Sequence, residues 1–240
     1  MTLDVEPWIG EGLTAPDAEN DLAQWYALSP AERVAKALRE LPGAHVLSSS
    51  FGAQSAVMLH LVLSQAPRTP VVLVDTGYLF PETYRFIDDL QARFNADLRI
   101  YRPAISAAHF EARHGKLWEH GLDGIERYNQ FHKVEPFQRA LEELRVGTWF
   151  SGLRRSQSAS RAAIEPVEHK RGRIKVHPLF DQSNRDLHQY LQRFDLPYHP
   201  LWDEGYVSIG DTHTTRPLSA EISEEATRFF GLKRECGLHG

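Results

Sequence analysis

Cysteine is almost absent from this chain, which contains a single one among 240 residues. One cysteine cannot form an internal disulfide, a four-cysteine zinc site or the thiolate quartet of an iron–sulfur cluster within one chain. Net positive charge is also lacking, because the formal charge is -5, and this argues against non-specific nucleic-acid binding. A small anionic ligand stays compatible with that charge, since a local basic pocket can form in an acidic protein.

Long apolar runs are missing as well. No segment approaches the roughly 20 apolar residues that span a bilayer. The first ten residues, MTLDVEPWIG, lack the basic and apolar regions of a secretion signal. We therefore expect a cytoplasmic protein that has no membrane partner.

The chain instead carries an alternation of strand and helix patterns. Apolar or β-branched runs predict strands at 45–47, 70–77, 97–101, 148–152 and 173–179. Helical spacing predicts helices at 18–27, 30–41, 53–64, 81–94, 134–144, 185–194 (capped by Asn184) and 223–230. This alternation predicts an α/β fold, a mostly parallel central sheet with helices on both faces. The predicted parts are an N-terminal helical extension at 1–42, an α/β domain at 43–205 and a C-terminal loop and cysteine arm at 206–240.

Two polar segments follow predicted strands. The first, SSSFGAQS at 48–55, opens a helix, where backbone N–H groups bind anions and serine hydroxyls add donors. Gly52 permits a close approach or an unusual dihedral there, and a capped serine-rich turn is the alternative. The second, Asp75-Thr76-Gly77, lies at a strand end where open α/β sheets bind ligands. Its alternative is a turn in which Asp75 caps the following segment.

A basic segment follows the predicted strand at 148–152. Arg154, Arg155 and Arg161 carry planar, permanently charged groups that suit phosphate or sulfate oxygens. Residues 154–175 contain seven basic and two acidic side chains, in contrast to the acidic whole. A solvated basic face is the alternative, but two adjacent arginines at a strand end favour an anion site.

The C-terminal segment KRECGLH holds the only cysteine, Cys236. A thiolate is the reactive form of cysteine, and Lys233, Arg234 and His239 lie within three positions and can stabilise it. A buried, inert cysteine is the alternative, but this charged tail offers no apolar pocket of its own. We expect a mobile arm with a nucleophile. The twelve histidines show no compact ligand spacing, so no metal site is predicted.

Six segments, taken in order, resemble the 3′-phosphoadenylyl sulfate (PAPS) reductase family of the adenine-nucleotide PP-loop superfamily. They are SSSFGAQSAV, LVDTGYLFPETY, KVEPFQRAL, TWFSGLRRSQSASR, YHPLWDEGYVSIGDTHTT and FFGLKRECGLH. They extend from about residue 46 to the C-terminus. The resemblance implies a PP-loop nucleotide-binding domain at 43–205, a C-terminal cysteine arm and a homodimer.

The sibling branch of that family, the adenylyl sulfate (APS) reductases, carries a [4Fe–4S] cluster on two cysteine pairs. The corresponding positions here are Tyr128-Asn129 and Asp211 with Thr214, so the resemblance implies the branch that has no iron–sulfur cluster. ATP-splitting relatives show Ser-Gly-Gly-x-Asp-Ser in the first loop. Gln54 takes the acidic position here, which fits a loop that holds a ready-made adenylyl sulfate.

The implied activity is reduction of PAPS to sulfite and adenosine 3′,5′-bisphosphate, with no bound cofactor. Cys236 would attack the sulfur and form an S-sulfocysteine, surrounded by Lys233, Arg234 and His239. Because the chain has no second cysteine, a partner protein must supply the electrons, and the resemblance implies thioredoxin or glutaredoxin. The alternatives are an APS reductase without a cluster, an adenylating PP-loop enzyme and a non-catalytic adenine-nucleotide-binding protein.

Each binding segment then has an expected task. The loop at 48–55 would hold the phosphosulfate, Leu73–Thr76 would line the adenosine pocket, and the arginines at 154–161 would pair the phosphates, including the 3′ group. Lys133 and Arg216 are candidates for the sulfate end. The predicted binding residues are Ser48, Ser49, Ser50, Phe51, Gly52, Gln54, Ser55, Leu73, Asp75, Thr76, Gly77, Lys133, Gly152, Arg154, Arg155, Gln157, Arg161 and Arg216.

Overall fold

Six strands form one central sheet in the computed structural model, which describes residues 18–219 and 225–232. The strands are β1 (Ala44–Ser48), β2 (Val71–Val74), β3 (Leu98–Tyr101), β4 (Val146–Ser151), β5 (Val167–Lys170) and β6 (Arg173–Val176). Their order is β3-β2-β1-β4-β6-β5, and every neighbouring pair is parallel except β5 with β6. The predicted mostly parallel α/β sheet is confirmed.

Eight α-helices accompany the sheet in these described ranges. They are α1 (Ala18–Ala27), α2 (Pro30–Glu40), α3 (Ala56–Leu63), α4 (Pro81–Phe94), α5 (Ala107–His114), α6 (Gly121–Asn129), α7 (Glu135–Glu143) and α8 (Asn184–Arg193). Apolar side chains of α2, α3, α4 and α8 share one core with Leu47 and Phe150 of the sheet. Phe137 and Leu141 of α7 pack on the opposite face, against Trp149. No helix in the described ranges combines the length and apolar character that crossing a membrane requires.

Local chemistry explains why several predicted boundaries agree with the structure. Helix α2 begins after Ser29, whose hydroxyl accepts the Glu32 N–H while the Glu32 carboxylate accepts the Ser29 N–H. Helix α4 begins at Pro81 and ends before Asn95, which adopts the left-handed conformation at φ 47°. These are sequence signals that act within one turn, so the sequence alone could predict them.

Three predictions differ from the structure. Helix α3 begins at Ala56 rather than at residue 53, because residues 49–55 form a loop. Helix α8 is capped by Ser183 and not by Asn184, since the Ser183 hydroxyl accepts the Asp186 N–H at 3.2 Å. The helix predicted at 223–230 is replaced, within the described residues, by two 3₁₀ turns, Glu225–Thr227 and Phe229–Gly231. Strand β5 and helices α5 and α6 were not predicted at all.

A π-helical turn, Gln130–Val134, connects α6 directly to α7. Tyr128 of α6 packs into an aromatic cluster with Phe110, Trp118 and Phe229, whereas Phe137 of α7 packs on the sheet. Such wide turns are rare and are frequently found at functional sites. The turn contains Lys133, one of the predicted binding residues.

Candidate functional site

A cavity of about 290 Å³ lies at the carboxyl ends of β1, β2 and β4. The sheet order reverses between β1 and β4, where Ser48 pairs with Ser151. Ligands of open α/β sheets bind outside the strand ends at such a reversal. The cavity is therefore where the fold itself predicts a binding site.

Many predicted binding residues line this cavity. They are Ser48, Ser49, Ser50, Gly52, Gln54, Ser55, Thr76, Lys133, Gly152, Arg154, Gln157 and Arg161. They come from segments that are up to about a hundred residues apart, and the parallel strands bring their ends together. Phe51, Leu73, Asp75, Gly77, Arg155 and Arg216 are not part of the lining, and Lys233, Arg234, Cys236 and His239 lie outside the described residues.

The loop at 48–55 is shaped by its own hydroxyls. Ser48 Oγ donates to the Phe150 carbonyl at 3.2 Å, and Ser49 Oγ accepts the Phe51 N–H at 3.1 Å. Of the two roles predicted for Gly52, the unusual dihedral falls instead on Phe51, at φ 50°. The buried Phe51 ring fills the core beneath the loop, which explains why an aromatic residue occupies this strained position.

Two cavity hydroxyls lack a hydrogen-bond partner within the part of the chain that the structure describes. They are Ser55 Oγ in the first loop and Ser151 Oγ at the end of β4, and both atoms are buried. A buried polar atom without a partner costs about 1–3 kcal/mol. Because both residues line the cavity, a polar ligand is the partner that would satisfy them.

Arg154 joins three segments at the cavity wall. Its Nη2 donates to Gln54 Oε1 at 3.0 Å and to Asn184 Oδ1 at 2.8 Å, and its Nη1 donates to the Gln182 carbonyl at 3.3 Å. These three oxygens are neutral acceptors, and they orient the guanidinium at the cavity wall. Arg161 reaches the same wall, where its Nη1 donates to Gln157 Oε1.

Arg155 points elsewhere, which corrects its prediction as a phosphate ligand. Its Nε donates to the Ile164 carbonyl at 2.7 Å, and its Nη2 donates to Tyr26 Oη at 2.7 Å. The guanidinium lies 4.9 Å from the Phe180 ring centroid and 3.6 Å from a Glu165 carboxylate oxygen. Arg154 is extended, but Arg155 begins the 3₁₀ turn Arg155–Gln157, and of the two only Arg154 lines the cavity.

The segment Asp75-Thr76-Gly77 serves mainly as a turn, as its alternative interpretation had it. Asp75 Oδ1 accepts the Gly77 N–H at 3.0 Å, and Oδ2 accepts from Arg102 Nε at 2.9 Å. Gly77 is exposed at φ 81°, and Leu73 is buried in the sheet core. Of the Leu73–Thr76 segment predicted to line the adenosine pocket, only Val74 and Thr76 border the cavity.

Lys133 and Asp211 form a buried ion pair at the cavity, with Lys133 Nζ 2.6 Å from Asp211 Oδ2. Thr76 Oγ1 donates to Asp211 Oδ1 at 2.5 Å. Burial alone would raise the pKa of Asp211, but the Lys133 ammonium and the Thr76 hydroxyl outweigh it and hold that pKa below its usual range. Asp211 is therefore a buried carboxylate that stays charged.

The positions that bear cysteine in APS reductases carry Tyr128, Asn129, Asp211 and Thr214 here. Of these, Tyr128 and Asp211 are neighbours in the structure. Burial and the Asp211 carboxylate raise the pKa of Tyr128. His213 stacks on Trp118 at a centroid distance of 3.7 Å, and burial lowers the pKa of His213 to about 4.

Within the described residues, no group of three or more His, Cys, Asp or Glu side chains is suited to a metal ion. The absence of an iron–sulfur cluster stays a prediction.

Sequence reasoning missed the wall formed by residues 207–211 and Arg228. Arg228 packs against Gly210 so closely that a Cβ on Gly210 would lie 2.2 Å from Arg228 Nη2. Gly210 lies in the segment 198–215 that resembles the family, whereas Arg216 and Arg228 each lie one residue outside the quoted segments. Arg216 is exposed, with its backbone N–H bonded to the Thr227 carbonyl at 2.9 Å.

The charges around the cavity define what it can bind. Among the described lining residues, four cations (Lys133, Arg154, Arg161 and Arg228) face one carboxylate, Asp211. A site with this excess, next to a serine-rich loop at a sheet reversal, suits a ligand with several negative charges. The fold and the site thus define an α/β protein with an anion-binding pocket of the nucleotide-binding kind.

The comparisons with known proteins identify the family. The sequence model of the phosphoadenosine phosphosulfate reductase domain matches residues 44–217. The chain is 62% identical to phosphoadenosine 5′-phosphosulfate reductase of Alkalilimnicola ehrlichii over 216 residues, which cover 90% of this chain and 88% of that one. The corresponding protein of Cronobacter sakazakii is 61% identical over 217 residues, 90% and 89% of the two chains. The chain belongs to the phosphoadenosine phosphosulfate reductase family.

Solved structures agree with that assignment. The PAPS reductase of Candida auris, in a phosphate complex, superimposes with a TM-score of 0.75 at 31% identity, over 85% of this chain and 98% of that one. FMN adenylyltransferase of Candida glabrata superimposes with a TM-score of 0.58 at 15% identity, over 82% and 70% of the chains. The second similarity concerns the fold alone.

Proposed function

We propose that this protein reduces PAPS to sulfite and adenosine 3′,5′-bisphosphate. The observation that carries the proposal is the cavity wall at the sheet reversal, where four cations converge with two buried hydroxyls that have no partner among the described residues. PAPS has three anionic groups on an adenosine, and charged arginine and lysine side chains pair such groups. The relatives at about 60% identity carry the name of this activity.

The cavity offers separate places for the two ends of such a ligand. The loop at 48–55 and the Ser151 hydroxyl would hold the phosphosulfate, and Arg161 would pair the 3′-phosphate. Lys133 and Arg228, which also line the cavity, would hold the sulfuryl oxygens. These assignments replace Arg155 and Arg216 by Arg228, because Arg228 borders the cavity and the other two do not.

Cys236 is the proposed nucleophile. It lies eight positions after Arg228 in the sequence, so the nucleophile and the cavity wall are close together along the chain. The thiolate would attack the sulfur, a new S–S bond would form, and the S–O bond to the phosphate would break. The leaving bisphosphate takes the electron pair, and the surrounding cations stabilise its charge.

A second thiol must complete the reaction. Its thiolate would attack the Cys236 sulfur, expel sulfite and form a mixed disulfide, which a further thiol of the same donor would resolve. The net reaction oxidises two thiols to a disulfide and reduces the sulfuryl sulfur to sulfite. We propose reduced thioredoxin or glutaredoxin as the donor, a role in sulfate assimilation, and a homodimer without bound iron.

One assay tests the proposal. Purified protein is mixed with PAPS or APS and reduced thioredoxin, without added iron or ATP, and sulfite is measured. We expect sulfite from PAPS, less from APS, and none from Cys236→Ser with either substrate. If the protein binds PAPS but releases no sulfite from either substrate, it is a non-catalytic nucleotide-binding protein. Equal rates of sulfite release from PAPS and from APS would reject PAPS as the preferred substrate.

Mass spectrometry tests the intermediate. Wild-type protein with PAPS and no thioredoxin should stop after one turnover, with one sulfo group on the peptide that contains Cys236. Thioredoxin should then release that group as sulfite. Cys236→Ser should still bind PAPS, because the cavity residues lie elsewhere, but it should carry no adduct. A sulfo group on another residue would contradict the mechanism.

A further inference from the structure

Asp211 stands out as a charged group placed where an anionic ligand would enter. It borders the cavity, yet its side chain is only 1% exposed and its charge opposes the anion that the other four charged residues attract. Its two oxygens are held separately, Oδ2 by the Lys133 ammonium and Oδ1 by the Thr76 hydroxyl. The carboxylate thus connects the end of β2 to the π-helical turn that contains Lys133.

Stability alone does not explain this ion pair. Removing two charges from water is costly, and well-packed apolar residues in place of a buried ion pair often leave a protein equally stable or more so. The Lys133 ammonium is also bordered by aromatic rings, with Nζ 5.0 Å from the Phe229 centroid and 5.5 Å from the Tyr128 centroid. The stability of the fold therefore does not account for the two buried charges.

We propose that Asp211 is a positioning residue that fixes the Lys133 ammonium at the cavity wall and offsets part of its charge. The proposal rests on the proposed PAPS reductase function. An ammonium has three donors, and the carboxylate occupies one side of Lys133, which directs the remaining donors towards the cavity. The same carboxylate limits how strongly Lys133 holds an anion, which favours release of the bisphosphate product.

The Asp211→Asn variant separates these effects, because the amide keeps the shape and can still accept from Thr76, but it has no charge. We expect kcat for sulfite release to fall by roughly 10- to 100-fold, since small displacements of a positioning group have effects of this size. Calorimetry should find adenosine 3′,5′-bisphosphate bound as tightly as by wild type or more tightly. A merely structural role would weaken binding and turnover together.

A double-mutant cycle tests whether Asp211 acts through Lys133. Lys133→Met alone should lower kcat, and adding Asp211→Asn to it should change kcat by less than about twofold. The Lys133→Met/Asp211→Asn protein removes both buried charges, so it keeps the test available even if Asp211→Asn alone does not fold. A further large loss of kcat in the double variant, weaker bisphosphate binding in Asp211→Asn, or a wild-type kcat in that variant would overturn the proposal.

The two proposals fail in different ways. If wild-type protein releases no sulfite from PAPS, the proposed function is wrong. In that case calorimetry with adenosine 3′,5′-bisphosphate still shows whether loss of the Asp211 charge leaves anion binding as strong as before. If wild-type protein is active but the cycle is additive, only the role of Asp211 is wrong.

Discussion

Arg155→Ala should destabilise the fold and leave the preference for PAPS intact. The Arg155 guanidinium links α1 to the segment after β4, through Tyr26, the Ile164 carbonyl and the Phe180 ring. A partly exposed cation–π contact contributes about 0.5–1 kcal/mol, and each hydrogen bond contributes about 0.5–1.5 kcal/mol. The ion pair with Glu165 adds little, because both side chains are about a third exposed.

These contributions sum to about 1.5–4 kcal/mol for the whole side chain. In a chain of this size 1 kcal/mol shifts Tm by roughly 2–4 °C, so the expected decrease is roughly 3–16 °C. Differential scanning calorimetry measures the decrease, and titration with PAPS and APS measures both affinities. Arg161→Ala is the matched control, since it removes the same charge from the cavity wall. It should lower PAPS affinity more than APS affinity, with a smaller effect on Tm.

The opposite pattern would refute this reasoning. If Arg155→Ala keeps the wild-type Tm and loses affinity for PAPS but not for APS, Arg155 contacts the 3′-phosphate and its placement beside Phe180 is not the functional one. Arg155→Lys provides a further comparison, because lysine keeps the charge but cannot reproduce the planar contacts with Tyr26 and Phe180.

Three further predictions follow from the site and the core. Gly210→Ala should weaken PAPS binding without loss of Cys236 reactivity towards iodoacetamide, because a Cβ would displace the Arg228 guanidinium; unchanged affinity would contradict this placement. Burial lowers the pKa of His199 to about 4 from the ordinary 6.5. Between those values the unfolded chain takes up a proton that the folded one does not, so the free energy of unfolding should fall as pH falls from 6.5 to 4, by about 3 kcal/mol at most. Urea titrations of wild type and His199→Gln should show a shallower pH dependence in the variant, and equal slopes would assign the effect elsewhere. Anaerobically purified protein should be colourless and free of iron by elemental analysis, whereas stoichiometric iron would disprove the assignment to the branch without a cluster.

The part of the site that lies at strand ends could be predicted from the sequence. Ser48, Thr76 and Gly152 each follow an apolar run, and parallel strands bring their carboxyl ends to one edge whatever the detailed packing. The choice between Arg154 and Arg155 could not be made in that way. It depends on which side of β4 each residue faces after the strand ends, and that is fixed by contacts with Asn184 and Tyr26, far away in the sequence.

The residues and elements that the sequence did not predict were missed for one physical reason. Asp211 and Arg228 lie in segments without periodicity, and isolated bridges to Leu79 and Thr215 place them. Helix α6 escaped prediction because two glycines interrupt its pattern. One of them, Gly124, is required by packing, since a Cβ there would lie 2.1 Å from the Leu117 carbonyl oxygen. Tertiary contacts thus determine these elements, and no pattern in the local sequence predicts them.

The wide turn at Gln130–Val134 has a consequence for the helix that contains it. Each residue of an α-helix advances by about 100°, so one additional residue in a turn rotates everything beyond it by that angle. The rotation lets α6 pack in the aromatic cluster while α7 packs on the sheet, although no loop separates the two helices. Deletion of a single residue there would remove this rotation between α6 and α7. Either Phe137 or Tyr128 would then have to leave the cluster in which it is buried. The turn therefore sets the angle between the α6 face that packs in the aromatic cluster and the α7 face that packs on the sheet.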